Sequence, residues 1–225
     1  MPARAIDAAF NEAAARLDGI RAALSALAPQ APSPTLDSRG HTAWLTQKAG
    51  TYVWLGACLE VFLKSFLGLL LRDIAAATPR CVDLKPSLLA MVEAATFDRL
   101  SDLKKLEKWS DRVAIVSRVL DGSTATLPIV TLPLDGRTIE PRHLETAWLV
   151  YGLPGSPFPG PVQKMALRDI ARGRNQVAHG DLRPEDMGRS KTIPDLLKLV
   201  SHTEDVVQHV YLAGLDYMDA DGFKR

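Results

Sequence analysis

The chain has 225 residues, 47% hydrophobic and 24% charged, an ordinary globular make-up that can bury one sizeable core. Its 27 Lys+Arg nearly balance 26 Asp+Glu, for a net charge of +1, so no global field marks a polyanion partner and any nucleic-acid surface has to be local. Cys58 and Cys81 have no histidine near them at zinc-ligand spacing, which argues against a disulfide framework and a metal knuckle and fits a reducing cytoplasm.

In chain order, residues 3–27 have helical periodicity and end at the Pro-rich linker APQAPSPTLDSRG. Asp7, Glu12 and Asp18 interrupt this segment, so it reads as neither signal peptide nor anchor. The longest helix is expected from about His41 to Ala77, stopping before Thr78-Pro79. Within it, residues 52–71 (YVWLGACLEVFLKSFLGLLL) are apolar enough to suggest a membrane span. Glu60 and Lys64 fall in the middle, each costing roughly 2.5–3.5 kcal/mol on insertion scales. The segment therefore reads as a buried central helix, with no membrane partner. Gly50, Gly56 and Gly68 on it either permit close helix approach or are simply tolerated within a packed bundle.

Helices are predicted at 86–96 and 101–120, the second capped by Ser101 or Asp102 and ended by Asp121-Gly122. Its basic run, KKLEKWSDR, with Lys104, Lys105, Lys108 and Arg112 beside Trp109, reads as a solvated face rather than an RNA track. Residues 123–160 break the pattern with six prolines and the turn pair Asp135-Gly136. A short β-hairpin across LPLDGRTI and a short helix at 141–150 are expected there. Helix resumes at 161–179, breaks over the polar stretch 180–193, and returns at 194–217. The expected architecture is all-α: one up-and-down helical bundle over 1–225, with an N-terminal helix and linker (1–37) and a Pro/Gly-rich insertion (123–160).

Residues 174–181, RNQVAHGD, carry the chemistry. At about 100° per residue, Ala166, Ile170, Gly173 and Val177 form the core face of the 161–179 helix, widened by Leu167, Ala171 and Ala178. Arg168, Arg172, Asn175 and His179 fall along a second, polar line. Arg174 projects into the apolar stripe, where a guanidinium that cannot lose its charge needs an anion, carbonyls or a route to water. Asn175 and His179, four apart, can hydrogen-bond and fix the imidazole tautomer, and Gly180 ends the helix just past its cap. A neutral imidazole beside a guanidinium suits phosphoryl chemistry: the ring takes a proton, while the guanidinium holds a phosphate and its growing charge. On RNA the 2′-hydroxyl is the built-in nucleophile. Between 161 and 191, seven Lys/Arg stand against four acids, so the local positive field centres on this motif.

Arg174-Asn175-Gln176-Val177-Ala178-His179 resembles the R-x4-H motif of HEPN domains (higher eukaryotes and prokaryotes nucleotide-binding), with its polar residue after the Arg. The longer strings LRDIARGRNQVAHGD and LPLDGRTIEPRHLETAWLVYGLPGSPFPGP are similar to a bacterial HEPN-type nuclease subgroup. The resemblance implies a helical bundle that dimerises so that two such motifs face each other, forming a composite site. It implies a metal-independent endoribonuclease of toxin–antitoxin or anti-phage defence systems, needing no cofactor and leaving a 2′,3′-cyclic phosphate. Arg174 would bind phosphate, His179 would be general base or acid, and Asn175 would orient them. Glu60 and Lys64 match the family's E-x3-K arrangement on an earlier helix, Lys64 as a second phosphate ligand, with Arg168 and Arg172 as RNA-binding support. The partners implied are RNA, a second copy, and an antitoxin or other regulatory protein. Asp181 stands where some relatives carry a tyrosine modified by the antitoxin. The alternative is a non-catalytic HEPN module that binds a nucleotide or protein, or serves dimerisation. A third reading is an unrelated bundle in which Arg174 is merely paired with Glu60.

Overall fold

A computed structural model describes residues 5–32, 38–102, 106–120, 122–128, 132–134 and 138–225. Its helices are α1 (Ala5–Leu27), α2 (Ser38–Ala76), α3 (Pro86–Val92), α4 (Ala94–Asp102), α5 (Glu107–Leu120), α6 (Pro141–Tyr151), α7 (Pro161–Ala178), α8 (Pro184–Arg189) and α9 (Ile193–Asp219). Among the described residues there is no strand, only isolated antiparallel bridges at Arg80/Thr124 and Leu84/Lys224. The architecture is an all-α helical bundle.

Proline placement explains many helix starts. α3, α6, α7, α8 and α9 each carry proline in the first two positions, where the missing N–H would have no intrahelical partner and the fixed φ already suits a helix. α9 adds a capping box, the Thr192 hydroxyl accepting from the Asp195 N–H at 3.2 Å.

The 39-residue α2 is the axis of the bundle, about 58 Å long at 1.5 Å per residue. It packs against α1, α7, α8 and α9. Leu55, Leu59, Phe62, Phe66, Leu70 and Ile74 are all buried along it. By length and composition α2 could cross a bilayer, yet half of its most apolar 18-residue window is buried inside the protein. Its close contacts rest on glycines elsewhere: a Cβ on Gly188 of α8 would lie 2.0 Å from the Leu45 carbonyl oxygen, and one on Gly173 of α7 would lie 2.4 Å from Tyr52 Cδ1.

Three boundaries differ from expectation. The predicted 86–96 helix is broken at Glu93, where α3 ends after Val92 and α4 begins at Ala94. The predicted 101–120 helix is two pieces: residues 101–102 close α4 instead of capping a new helix, and α5 begins at Glu107. The polar stretch 180–193 contains α8. Its acidic first turn (Glu185, Asp186) and basic last turn (Arg189) favour a helix through the macrodipole, and only Met187 and Gly188 are buried, too few to produce a hydrophobic period. The expected hairpin turn, 135–137, lies outside the described residues, and Leu132–Leu134 form no strand.

Candidate functional site

α7 turns three different faces to its surroundings. Ala166, Leu167, Ile170, Ala171 and Gly173 are buried, as the periodicity requires. Val177 is half-buried and Ala178 exposed, because the helix is leaving the core at its end. Arg168, Arg172 and His179 are exposed. Arg174 and Asn175, on the edge between these faces, are half-buried.

The Arg174 stem crosses α2 at Gly56, where a Cβ would lie 3.1 Å from Arg174 Cγ. Of the three α2 glycines, this is the one at which helix approach uses the missing side chain; beside Gly50 is only Trp54 of the same helix, and around Gly68 is open space. The Arg174 guanidinium has two anchors. One Nη donates to the Thr138 hydroxyl in a short hydrogen bond. The other lies 3.6 Å from Glu60 Oε2, while the opposite Glu60 oxygen is 2.6 Å from Lys64 Nζ. Glu60, Lys64 and Arg174, distant in sequence, are therefore one charged cluster, with two cations on one carboxylate.

Asn175 is held by the same hydroxyl: Thr138 Oγ1 donates to Asn175 Oδ1 at 2.5 Å. The hydrogen bond expected between Asn175 and His179 is not made among the described residues. His179 is the C-cap of α7, with its backbone N–H donating to the Asn175 carbonyl at 3.0 Å, and Gly180 follows in the left-handed region at φ 76°. That is the glycine-past-the-cap ending the sequence indicated.

Three of the other four histidines are hydrogen-bonded. His41 meets the Pro32 carbonyl and stacks on Trp44. His143 Nδ1 accepts from the Glu140 N–H in the α6 capping box. His209 meets the Ser156 carbonyl while stacking on Trp148, whereas His202 Nδ1, 3.6 Å from Asp205 Oδ2, is buried without a hydrogen-bond partner among the described residues. His179 differs from all of them in being exposed to solvent.

Pairing also sorts the seven cations of 161–191. Lys164 pairs with Glu145, Arg183 and Arg189 with Asp186, Lys191 with Asp169, and Arg174 with Glu60. Among the described residues, Arg168 and Arg172 have no carboxylate partner. Both line a groove of about 400 Å³ between α6 and α7, with Arg142, Glu145, Lys164 and Asn175. Arg172 also borders a cavity of about 420 Å³ on the other side of α7, where Tyr52, Gln176, Ser190 and Lys191 converge. Burial raises the Tyr52 phenol above its ordinary value, opposed by a hydrogen bond with Ser190. Among the described residues, no three His, Cys, Asp or Glu side chains cluster in a metal-holding arrangement.

Thr138 is the site residue that sequence reasoning missed. It lies in the segment read as an insertion, and no motif distinguishes a lone threonine before a proline-capped helix. The basic run before α5 divides: Lys104 and Lys105 lie outside the described residues, and Arg112 covers the Trp109 ring at 4.8 Å.

Compared with known proteins, the chain matches no family model, no curated protein and no solved structure.

Proposed function

We infer that this chain is a metal-independent endoribonuclease of HEPN type, acting in the cytoplasm as a toxin or anti-phage defence effector and needing no cofactor. The observation that supports it is the state of Arg174. Elsewhere in this protein the arginines that act as structural ties make close contact with a carboxylate: Arg99 forks onto Asp111 at 2.9 and 2.8 Å, Arg80 onto Asp83 at 2.8 and 3.1 Å, and Arg118 reaches Glu93 through one Nη at 2.6 Å. Arg174 makes no such fork. Its closest anchor is a neutral hydroxyl, and its nearest carboxylate, 3.6 Å away, is held more closely by Lys64. A part-buried cationic excess of this kind is ready to receive an anion.

Arg174 and His179 are five residues apart, about 140° around the helix and roughly 7.5 Å along it. They do not converge within one copy, and the reading requires a second copy to bring its own motif opposite. In the reaction, His179 takes the proton of the ribose 2′-hydroxyl as that oxygen bonds to phosphorus. The bond to the 5′-oxygen breaks, and the leaving oxygen takes a proton from the second imidazole. Arg174 and Lys64 hold the phosphate as its charge grows, and Arg168 and Arg172 bind neighbouring phosphates in the groove. A regulatory protein or antitoxin would act by covering this face.

Purified protein should cleave single-stranded RNA in EDTA, leaving cyclic-phosphate ends. Arg174→Ala and His179→Ala should each abolish cleavage. Cleavage that survives both substitutions, or that depends on added metal, would refute the assignment. One observation favours the alternative of a non-catalytic binding module: Thr138 and Glu60 already satisfy much of the Arg174 guanidinium. Expression in a bacterial host separates the two, since a nuclease is toxic and His179→Ala relieves it, whereas a passive binder arrests nothing.

A further inference from the structure

α5 has an unusual outer face. Leu106, Trp109, Val113, Val116 and Leu120 recur at intervals of three, four, three and four residues, and all five side chains are exposed, by 57–86%. That interval is the heptad spacing with which one helix packs its side chains between those of another. The opposite face of α5 is already used: Asp111 takes the Arg99 fork, Arg118 reaches Glu93 at 2.6 Å, and Val119 packs on the core. The helix is thus fixed to the bundle by one side and leaves on the other an apolar seam about 17 Å long from Trp109 to Leu120, with Leu106 in the turn just before it.

We propose that this seam is a homotypic interface, in which α5 of a second copy covers α5 of the first. Three features select a copy of this chain rather than an unrelated helix. The seam is apolar along its whole length and so is complementary to itself. Its flanking positions along the helix are Ser110 and Ser117 on one side and Arg112 on the other, Val119 being already packed on the core. Two copies packed in parallel set Arg112 of one against Ser117 of the other, so no like charges oppose across the seam. The area is also adequate: five side chains this exposed present on the order of 600 Å², the upper end of what a monomer leaves open. Complete coverage of these side chains on both copies would bury about 1,200 Å², the lower bound of stable interfaces. Arg112, lying over Trp109, would close the edge of the seam as a cation on an aromatic face.

This interface is separate from the paired motifs of the nuclease reading and does not depend on them. The test compares molar mass by light scattering for the wild-type chain and for the double variant Val113→Glu/Val116→Glu over a wide concentration range. Both positions are exposed, so far-UV circular dichroism should be unchanged; if it is not, Leu120→Gln at the helix end gives the same readout. The variant should have half the wild-type mass, with self-association weakened more than about tenfold. Taking the ratio removes any association through the α7 face. A short bis-maleimide should also join two copies of the Val113→Cys variant, since Cys58 and Cys81 are both buried. Equal masses for wild type and variant overturn the proposal. So does a Val113→Cys chain that links to a different protein while leaving its own copies unlinked.

Discussion

Replacing Thr138 by valine keeps the side-chain shape and deletes one oxygen, the oxygen that receives the Arg174 N–H and gives its proton to Asn175. Thr138 is 5% exposed, so water does not replace the lost partner at that point. A hydrogen bond to a charged group contributes about 1.5–3 kcal/mol, and an amide oxygen left without a donor adds to the loss. Arg174 is 29% exposed on its side chain, which lets solvent recover part of this. The valine methyl is also easier to bury than a hydroxyl. The expected net destabilisation is about 2 kcal/mol, or about 4–8 °C in a chain of this size. Thr138→Ser is the control: it keeps the oxygen and loses one methyl, costing about 1 kcal/mol. Urea titrations of the three proteins measure the difference. Under the nuclease reading, Thr138→Val also releases the guanidinium, and kcat for RNA cleavage should fall about tenfold for each 1.4 kcal/mol of lost transition-state contact. If valine costs no more than serine, the hydroxyl does not hold the site together and the reasoning fails.

Gly188→Ala should destabilise more than Gly173→Ala, because the first places a methyl against the Leu45 backbone and the second against the movable Tyr52 ring; urea midpoints should rank them, the latter at about 1–3 kcal/mol. Burial pushes the Cys58 thiol up to about 11 and raises Tyr52, Tyr151 and Tyr217 as well. The stability these groups confer is intact below their unfolded values, about 8.5 and 10, and is lost as pH climbs towards the folded ones. Lys48, lowered by burial, works in the opposite sense, one group against four. Urea midpoints should therefore hold to about pH 8.5 and then fall. Glu60→Gln should change stability by less than about 1 kcal/mol, since Lys64 and Arg174 both reach water; a large loss would mark the cluster as purely structural. Arg168→Ala and Arg172→Ala should each lower the salt dependence of RNA binding by about one unit while leaving unfolding unchanged.

The periodic parts of the fold were legible. α1, α2, α7 and α9 announce themselves through apolar residues at helical intervals, and their ends through Pro79, Gly180 and the linker at 28–40. α8 was not, because six residues with two buried positions carry no period. The division between α4 and α5 has a related reason: 101–108 reads SDLKKLEK, without proline or glycine, and nothing there opposes a continuous helix. At the site, the proximity of Glu60 and Lys64 to Arg174 could be anticipated from two charges in an apolar helix and one in an apolar stripe, which all need company. The distribution of hydrogen bonds could not. An asparagine four residues before a histidine has a local partner by spacing, and only the tertiary fold reveals that Thr138 takes its amide oxygen instead.

That substitution of partners changes what the 123–160 segment does. Read as an insertion, it is a detour between two helices of a bundle. In the structure its C-terminal half is wired to the core at several points: Tyr151 donates to the Leu67 carbonyl of α2 at 3.0 Å, Tyr217 of α9 donates to the Tyr151 carbonyl, and Lys85 donates to the Gly152 carbonyl at 2.8 Å. α6 is thereby held at a fixed height beside α7, and the residue just ahead of it, Thr138, reaches two consecutive α7 side chains. The same element supplies Arg142 and Glu145 to the groove that contains Arg168 and Arg172. The segment thus builds one wall of the groove and positions the side chains at its floor, so a change of length between Leu134 and Pro141 should disturb Arg174 before it disturbs the bundle.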